Sequence, residues 1–129
     1  ESMEQSESIE SHLTFDEEYD LVLKWFVSSH VATSWELYEN STSLGNYRNS
    51  KKGTKKLAKT GSREEWCYNN IYDFIGNVFE WTDGIGETTL RGGGFDNNGG
   101  NVPASYRYGS YSTSLYGVNI GFRVVLYIK

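Results

Sequence analysis

The chain has 129 residues, enough for one ordinary domain, and its 37% hydrophobic and 22% charged residues are a usual globular balance. The net charge is −5, and residues 1–20 hold eight acidic residues and no Lys or Arg, so the remainder is close to neutral. Without a concentrated basic face, nucleic acid is not expected as the main partner. No apolar run approaches the ~20 residues of a membrane-spanning helix, so we predict no membrane insertion.

The N-terminal residues are polar and acidic. Met3 and Ile9 are the only apolar residues in 1–11, too few to order the segment by burial. We predict a flexible acidic tail over residues 1–12, followed by a single domain over 13–129.

A helix is predicted next, from about Phe15 to Val27. Thr14 and Glu17 have the spacing of a capping box, and Tyr19, Val22, Leu23 and Phe26 share one face of a helix with 3.6 residues per turn. We expect this face, together with Trp25, to pack in the core.

Residues 51–59 contain five lysines. They are either a patch for an anionic ligand or lipid, or an exposed mobile loop. Cys67 follows between two aromatic residues, where a small buried hydrophobe is expected rather than a nucleophile.

Three strands are predicted in the second half. A Gly76-Asn77 turn precedes the alternating pattern of residues 78–82, with one apolar face. Residues 90–95 form a short glycine-rich strand, and the nearly continuous apolar run of residues 120–128 predicts a central strand.

Residues 95–119, here called the display segment, have an unusual composition. Residues 91–119 contain seven Gly and four each of Tyr, Ser and Asn. Tyr provides a rigid amphipathic contact, and Ser, Gly and Asn provide adaptable hydrogen bonds, as in antibody binding loops. The alternative is a glycine-rich surface loop whose tyrosines pack on the domain beneath it.

Three ordered motifs carry a family resemblance. Tyr72-Asp73-Phe74-Ile75-Gly76-Asn77-Val78-Phe79-Glu80-Trp81, Arg91-Gly92-Gly93-Gly94-Phe95 and Gly121-Phe122-Arg123 resemble the signature of the formylglycine-generating-enzyme (sulfatase-modifying factor) family. The resemblance implies an α+β, C-type-lectin-like fold, with short helices on a small twisted, mainly antiparallel sheet and long irregular loops. Within this superfamily the chain is most similar to the variable ligand-binding proteins of diversity-generating retroelements.

In those proteins the segment between the second and third motifs is the diversified surface. Carried over by position, the ligand-contacting residues are Phe95, Asp96, Asn97, Asn98, Asn101, Ser105, Tyr106, Tyr108, Tyr111, Leu115, Tyr116 and Asn119. Of these, Tyr106 is a candidate for a scaffold role, as is the neighbouring Arg107.

The resemblance also bears on catalysis and metal binding. The family's enzymes bind copper through a cysteine pair between these two motifs, but this chain has no Cys after Cys67, so we predict a protein that is not an enzyme. The family's calcium site would correspond to Asp73, Gly76, Val78 and Glu80. The alternative is that Asn77 and Glu80 connect loops by hydrogen bonds without an ion, and we expect no other cofactor.

The predicted function is a ligand-binding module on a cell surface or phage particle that recognises a protein or glycan. A structural or assembly module of a phage or surface protein is the alternative, and a degenerate oxidase is the third reading. Subunit association is compatible with each of them.

Overall fold

The computed structural model describes residues 8–84, 87–109 and 116–128. Within them the chain forms a small α+β structure with two helices, a single 3₁₀ turn and eight short strands. In chain order these are β1 (Ile9–Leu13), α1 (Asp16–Ser28), α2 (Ser34–Tyr38), the 3₁₀ turn (Glu64–Trp66), β2 (Cys67–Tyr68), β3 (Ile71–Tyr72), β4 (Phe79–Asp83), β5 (Thr88–Arg91), β6 (Arg107–Tyr108), β7 (Ile120–Phe122) and β8 (Val124–Ile128). None of the described helices has the length and apolar character needed to cross a membrane.

The strands form three small sheets. The largest has the order β6-β5-β4-β7, in which β4 and β5 are antiparallel and β4 and β7 are parallel. β1 pairs with β8 and β2 pairs with β3, both antiparallel. The mainly antiparallel pairing and the few short helices agree with the predicted α+β class.

The prediction for the first helix is confirmed in extent and in its buried face. Tyr19, Leu23 and Phe26 are fully buried. The cap is one residue later than predicted, because the Glu18 carboxylate accepts a hydrogen bond from the Phe15 amide at 2.8 Å. Thr14 instead donates its hydroxyl to the Arg123 carbonyl at 3.0 Å.

The core lies between α1 and the irregular segments that cross it. Its further members include Leu37, Leu44, Tyr47, Phe74 and Ile75. The expectation that Trp25 belongs to the core is wrong, since its side chain is 46% exposed. Cys67 is half-buried.

Both ends of the described chain differ from prediction. The flexible tail was expected to reach residue 12, but residues 9–13 form β1, because their backbone pairs with β8. The 120–128 run is two strands rather than one central strand: among the described residues, β7 lies at a sheet edge and β8 pairs with β1 alone. Phe122, Leu126 and Ile128 are largely exposed as a result.

Strand β4 occurs where the alternation predicted it, but two of its polar residues are buried alongside Phe79. Glu80 and Thr82 are buried, whereas Trp81 is only partly covered. Buried polar groups require hydrogen-bonding partners: Arg123 donates to Glu80, and the Thr82 hydroxyl bonds to Thr89 and Asp16.

Candidate ligand-binding surface

Arg91, the first residue of the Arg-Gly-Gly motif, is the centre of a buried charged network. The network consists of Arg91, Asp16, Asp20, Thr82 and Thr89. The guanidinium donates at 2.6 Å to both Asp16 and Asp20, which are one turn apart on α1. Thr89 donates its hydroxyl to Asp16 at 3.2 Å. The network therefore fixes the end of β5 against α1.

Arg91 also contacts the residues around this network. Its guanidinium lies 4.6 Å from the Tyr19 ring centroid, and its Nη2 donates to the Ser105 carbonyl at 3.2 Å. Its Nε is buried without a hydrogen-bond partner. Burial would raise the pKa of Asp16, but the hydrogen bond and charge of Arg91 outweigh it and hold that pKa below its ordinary value of 3.8.

The two glycines after Arg91 are required by their backbone conformation and by close packing. Gly92 and Gly93 have φ of 92° and 72°, a region that side chains disfavour. A Cβ on Gly92 would lie 2.7 Å from the Tyr19 hydroxyl, and one on Gly93 would lie 2.9 Å from the Tyr47 ring. The motif thus turns the chain from β5 into the display segment beneath two buried tyrosines.

The third motif supplies a second buried ion pair. Arg123 donates to both Glu80 oxygens, at 2.7 and 3.1 Å, and to the Tyr72 carbonyl at 2.9 Å. Burial raises the pKa of Glu80, although Arg123 opposes the shift. The Asp73 carboxylate accepts from the Gly61 amide at 2.8 Å.

These contacts do not fit the calcium site implied by the family resemblance. Both oxygens of Glu80 are engaged by a guanidinium, and a cation beside Arg123 would be repelled by it. The Gly76 carbonyl accepts from the Val78 amide. Across the parts of the chain that the structure describes, no group of three acidic, His or Cys side chains is arranged to hold a metal.

The display segment is anchored in its middle. Pro103 and Ala104 are buried, and the Ala104 amide donates to the Ser41 hydroxyl at 2.8 Å. The Ser105 amide donates to the Leu37 carbonyl at 3.1 Å. This anchor divides the described residues of the display segment into two parts that both hold exposed side chains, residues 95–101 before it and residues 105–109 and 116–119 after it.

The first exposed part, residues 95–101, is shaped by its own asparagines. Asn97 Oδ1 accepts from the Gly94 amide at 2.8 Å, and Asn98 Oδ1 accepts from the Gly100 amide at 2.9 Å. Both side chains are half-buried and form the loop, whereas Asp96 and Asn101 are exposed. Phe95 is half-buried and donates its amide to the Asn77 carbonyl.

The second exposed part carries the tyrosines. Tyr106 and Tyr108 are 36% and 38% exposed with ring centroids 5.4 Å apart, and Tyr116 is 91% exposed. Ser105 is half-buried. The predicted contacts Tyr111 and Leu115 lie outside the described residues.

Contacts through Phe79 and Asn119 connect the two parts. Asn119 Nδ2 donates to Asp96 at 3.1 Å, and its carbonyl accepts from the Phe79 amide at 2.7 Å. The Phe79 ring lies edge-on to Tyr108, with centroids 5.9 Å apart. Arg107 pairs with Asp16 at 3.0 Å and Glu87 at 3.1 Å, consistent with the scaffold role considered for it.

The structure is thus an α+β scaffold with buried ion pairs, and one of their arginines, Arg91, bonds to the backbone of the segment rich in Tyr, Asn and Gly. No protein-family model matches the chain, and neither does any curated protein. The structure is similar to that of Treponema denticola variable protein 1, with a TM-score of 0.58 and 18% sequence identity, over 88% of this chain and 46% of that one. The similarity shows a shared fold, and this chain spans about half the length of that protein.

Proposed function

We propose that the chain is a non-catalytic ligand-binding module that presents a variable surface on a cell or phage particle and recognises a protein or glycan. The observation that carries this proposal is the arrangement of the display segment. Its exposed side chains include Asn101 and three tyrosines, while its backbone is anchored by hydrogen bonds to Ser41, Leu37 and the buried Arg91. Surface side chains can then be exchanged without disturbing the core.

Two further lines support the proposal. The three sequence motifs resemble those of variable proteins of diversity-generating retroelements, with a C-type-lectin-like fold. The structural neighbour is itself a variable protein by name.

Binding is tested with an array of surface glycans and proteins probed with the chain and with the double variant Tyr108→Ala/Tyr116→Ala. Tyr38→Ala/Tyr127→Ala is the matched control, because these tyrosines are also exposed, at 42% and 50%, but lie outside the display segment. Signals that the first variant loses and the control keeps support the proposal. Signals that both variants retain contradict it.

Sequence variation provides an independent test. Sister genes should differ at adenines in codons 95–119, with a template repeat and a reverse transcriptase nearby. Variation spread everywhere except in that window would contradict a diversified surface.

A structural or assembly module is the second candidate, and the exposed apolar residues of β7 and β8 favour it. Leu126 and Ile128 share one face of β8 and are 66% and 72% exposed, and Phe122 in β7 is 71% exposed; exposed apolar side chains of this kind can mark an interaction surface. Sedimentation velocity of the chain and of Leu126→Lys distinguishes the two candidates. A concentration-dependent assembly that the substitution abolishes, without any array signal, would favour the assembly role.

A further inference from the structure

A cleft lies between α2 and the loop at residues 49–52, outside the display segment. Its volume is about 460 Å³, within the range of about 300–1,000 Å³ that small-molecule sites occupy. It is lined by Trp35, Asn40, Thr42, Ser43, Asn49, Ser50, Lys51 and Lys52. None of these belongs to the predicted ligand-contacting set.

The cleft has a flat aromatic wall. α2 buries Leu37 and leaves Trp35 61% exposed. An exposed indole presents a wide apolar face next to a hydrogen-bonding nitrogen, the combination that makes Trp common at binding sites. The face is suited to the C–H side of a sugar ring.

The rest of the lining offers hydrogen-bonding groups held in place by the chain. Asn49 donates to the Thr42 hydroxyl and accepts from the Gly99 amide, both at 3.0 Å. Asn40 accepts from the Thr42 amide at 3.1 Å through its Oδ1. No described residue accepts from the Asn40 Nδ2 group, which leaves that amide to donate to a ligand hydroxyl.

The lysine-rich loop at the rim is fixed by a buried side chain. Asn46 is fully buried, accepts from the Thr54 amide at 2.9 Å and donates to the Lys56 carbonyl at 3.0 Å. It also donates to the Asn77 side chain at 3.1 Å, which connects the loop to the first motif. These hydrogen bonds hold residues 54 and 56 of the loop, whose lysines are exposed, as the alternative of an exposed loop expects.

Two lysines of this loop carry positive charge to the cleft. Lys51 and Lys52 are exposed, and no carboxylate in the described parts of the chain forms a salt bridge with either. Two adjacent unneutralised ammonium groups favour a negatively charged ligand.

The geometry points to an anionic saccharide as the ligand of this cleft. Its ring would pack against Trp35, and its hydroxyls would form hydrogen bonds with Asn40 and Thr42. Its acid group would form ion pairs with Lys51 and Lys52. An acidic peptide could use the lysines and the amide donor, but its Asp and Glu side chains offer no ring face to the Trp35 indole. The cleft thus adds a second binding site beside the variable one.

The test uses calorimetric titration of the whole chain with trigalacturonate, a sulfated heparin disaccharide, neutral maltotriose and tetraglutamate. We expect an anionic saccharide to bind more tightly than maltotriose and tetraglutamate. Its affinity should fall as salt is added, because salt screens the charges. Trp35→Ala and Lys51→Gln/Lys52→Gln should each weaken that binding about tenfold, as expected for loss of a charged or stacking contact. Comparison of the two anionic sugars identifies the preferred acid group.

Lys55→Gln/Lys59→Gln is the matched control, since it removes the same charge from the same loop outside the cleft, and it should change affinity less than about twofold. Two-dimensional amide NMR spectra verify that each variant is folded. Equal losses in both lysine pairs, equal binding of tetraglutamate, or no anionic-sugar binding at millimolar concentration would overturn the inference. Tyr108→Ala/Tyr116→Ala should leave this binding unchanged, so this test and the test of the display segment can fail separately.

Discussion

The charged network and the display segment are joined in sequence but have opposite physical characters. Arg91 is 2% exposed and is held by two carboxylates, whereas Tyr116, after the anchor, is 91% exposed. In the network the carboxylates of Asp16 and Asp20 both pair with the Arg91 guanidinium, so loss of Arg91 removes this partner from both. In the display segment several side chains contact mainly solvent. The comparison shows how a scaffold can be intolerant of change next to a surface that tolerates it.

The largest effect is expected at the network. Arg91→Met should lower the free energy of unfolding by about 3–5 kcal/mol, because it removes a buried guanidinium that is the main partner of Asp16, whose side chain is only 14% exposed. Urea unfolding measures the change. The control is Arg63→Met, whose pair with Glu65 is 37% and 41% exposed and should contribute less than about 1 kcal/mol. Equal losses would remove the distinction between the two regions.

The turn between the regions should be the next most sensitive position. Gly92→Ala is expected to cost about 2–4 kcal/mol, because it combines backbone strain with a clash against Tyr19. Gly61→Ala is the control: Gly61 has a φ of 78°, but no atom lies within 4 Å of an added Cβ. Gly61→Ala should therefore cost about 1–2 kcal/mol, from backbone strain without a clash. Thermal unfolding measures the stability lost in each variant. A larger loss for Gly61→Ala than for Gly92→Ala would contradict this account.

The Glu80–Arg123 pair tests the scaffold against the calcium alternative. Glu80→Gln should lower stability by about 2 kcal/mol, because it weakens a buried charged hydrogen bond. The loss should be the same with calcium or with a chelator present. A melting temperature that rises strongly with calcium in the parent chain and not in the variant would support a metal site instead.

A smaller effect is expected from pH at Asp16. Its pKa lies below 3.8 in the folded chain, so its contribution to stability is present above that value and is lost as pH falls through the folded pKa. Asp16→Asn should therefore be less stable than the parent by about 1–2 kcal/mol at pH 7. The difference should shrink below about pH 4. A constant difference across acid titration would argue against this ion pair.

The smallest change in stability is expected in the display segment itself. Asn101→Ala and Tyr116→Ala should each alter the free energy of unfolding by less than about 0.5 kcal/mol, as for ordinary surface positions. Asn98→Ala is the internal contrast, because its side chain accepts from the Gly100 amide and should cost about 1 kcal/mol. Urea denaturation of all three variants tests whether the segment contains both free and loop-forming residues.

The sequence by itself determined the first helix and its buried face, the position of β4 and the unusual composition of residues 95–119. These features have local causes: a 3.6-residue period, a two-residue alternation and an excess of Tyr, Asn and Gly. The motifs marked where Arg91, Glu80 and Arg123 occur. They did not reveal that two arginines pair with carboxylates from α1 and β4.

Only the tertiary structure decided the remaining features, because each depends on residues far apart in the chain. β1 becomes ordered only by pairing with β8, and Ala104 anchors the display segment only because Ser41 lies beneath it. Trp35 lines a cleft together with Asn49, across residues that show no local periodicity. Such contacts follow from long-range packing and hydrogen-bond pairing, which a local pattern of residue types does not encode.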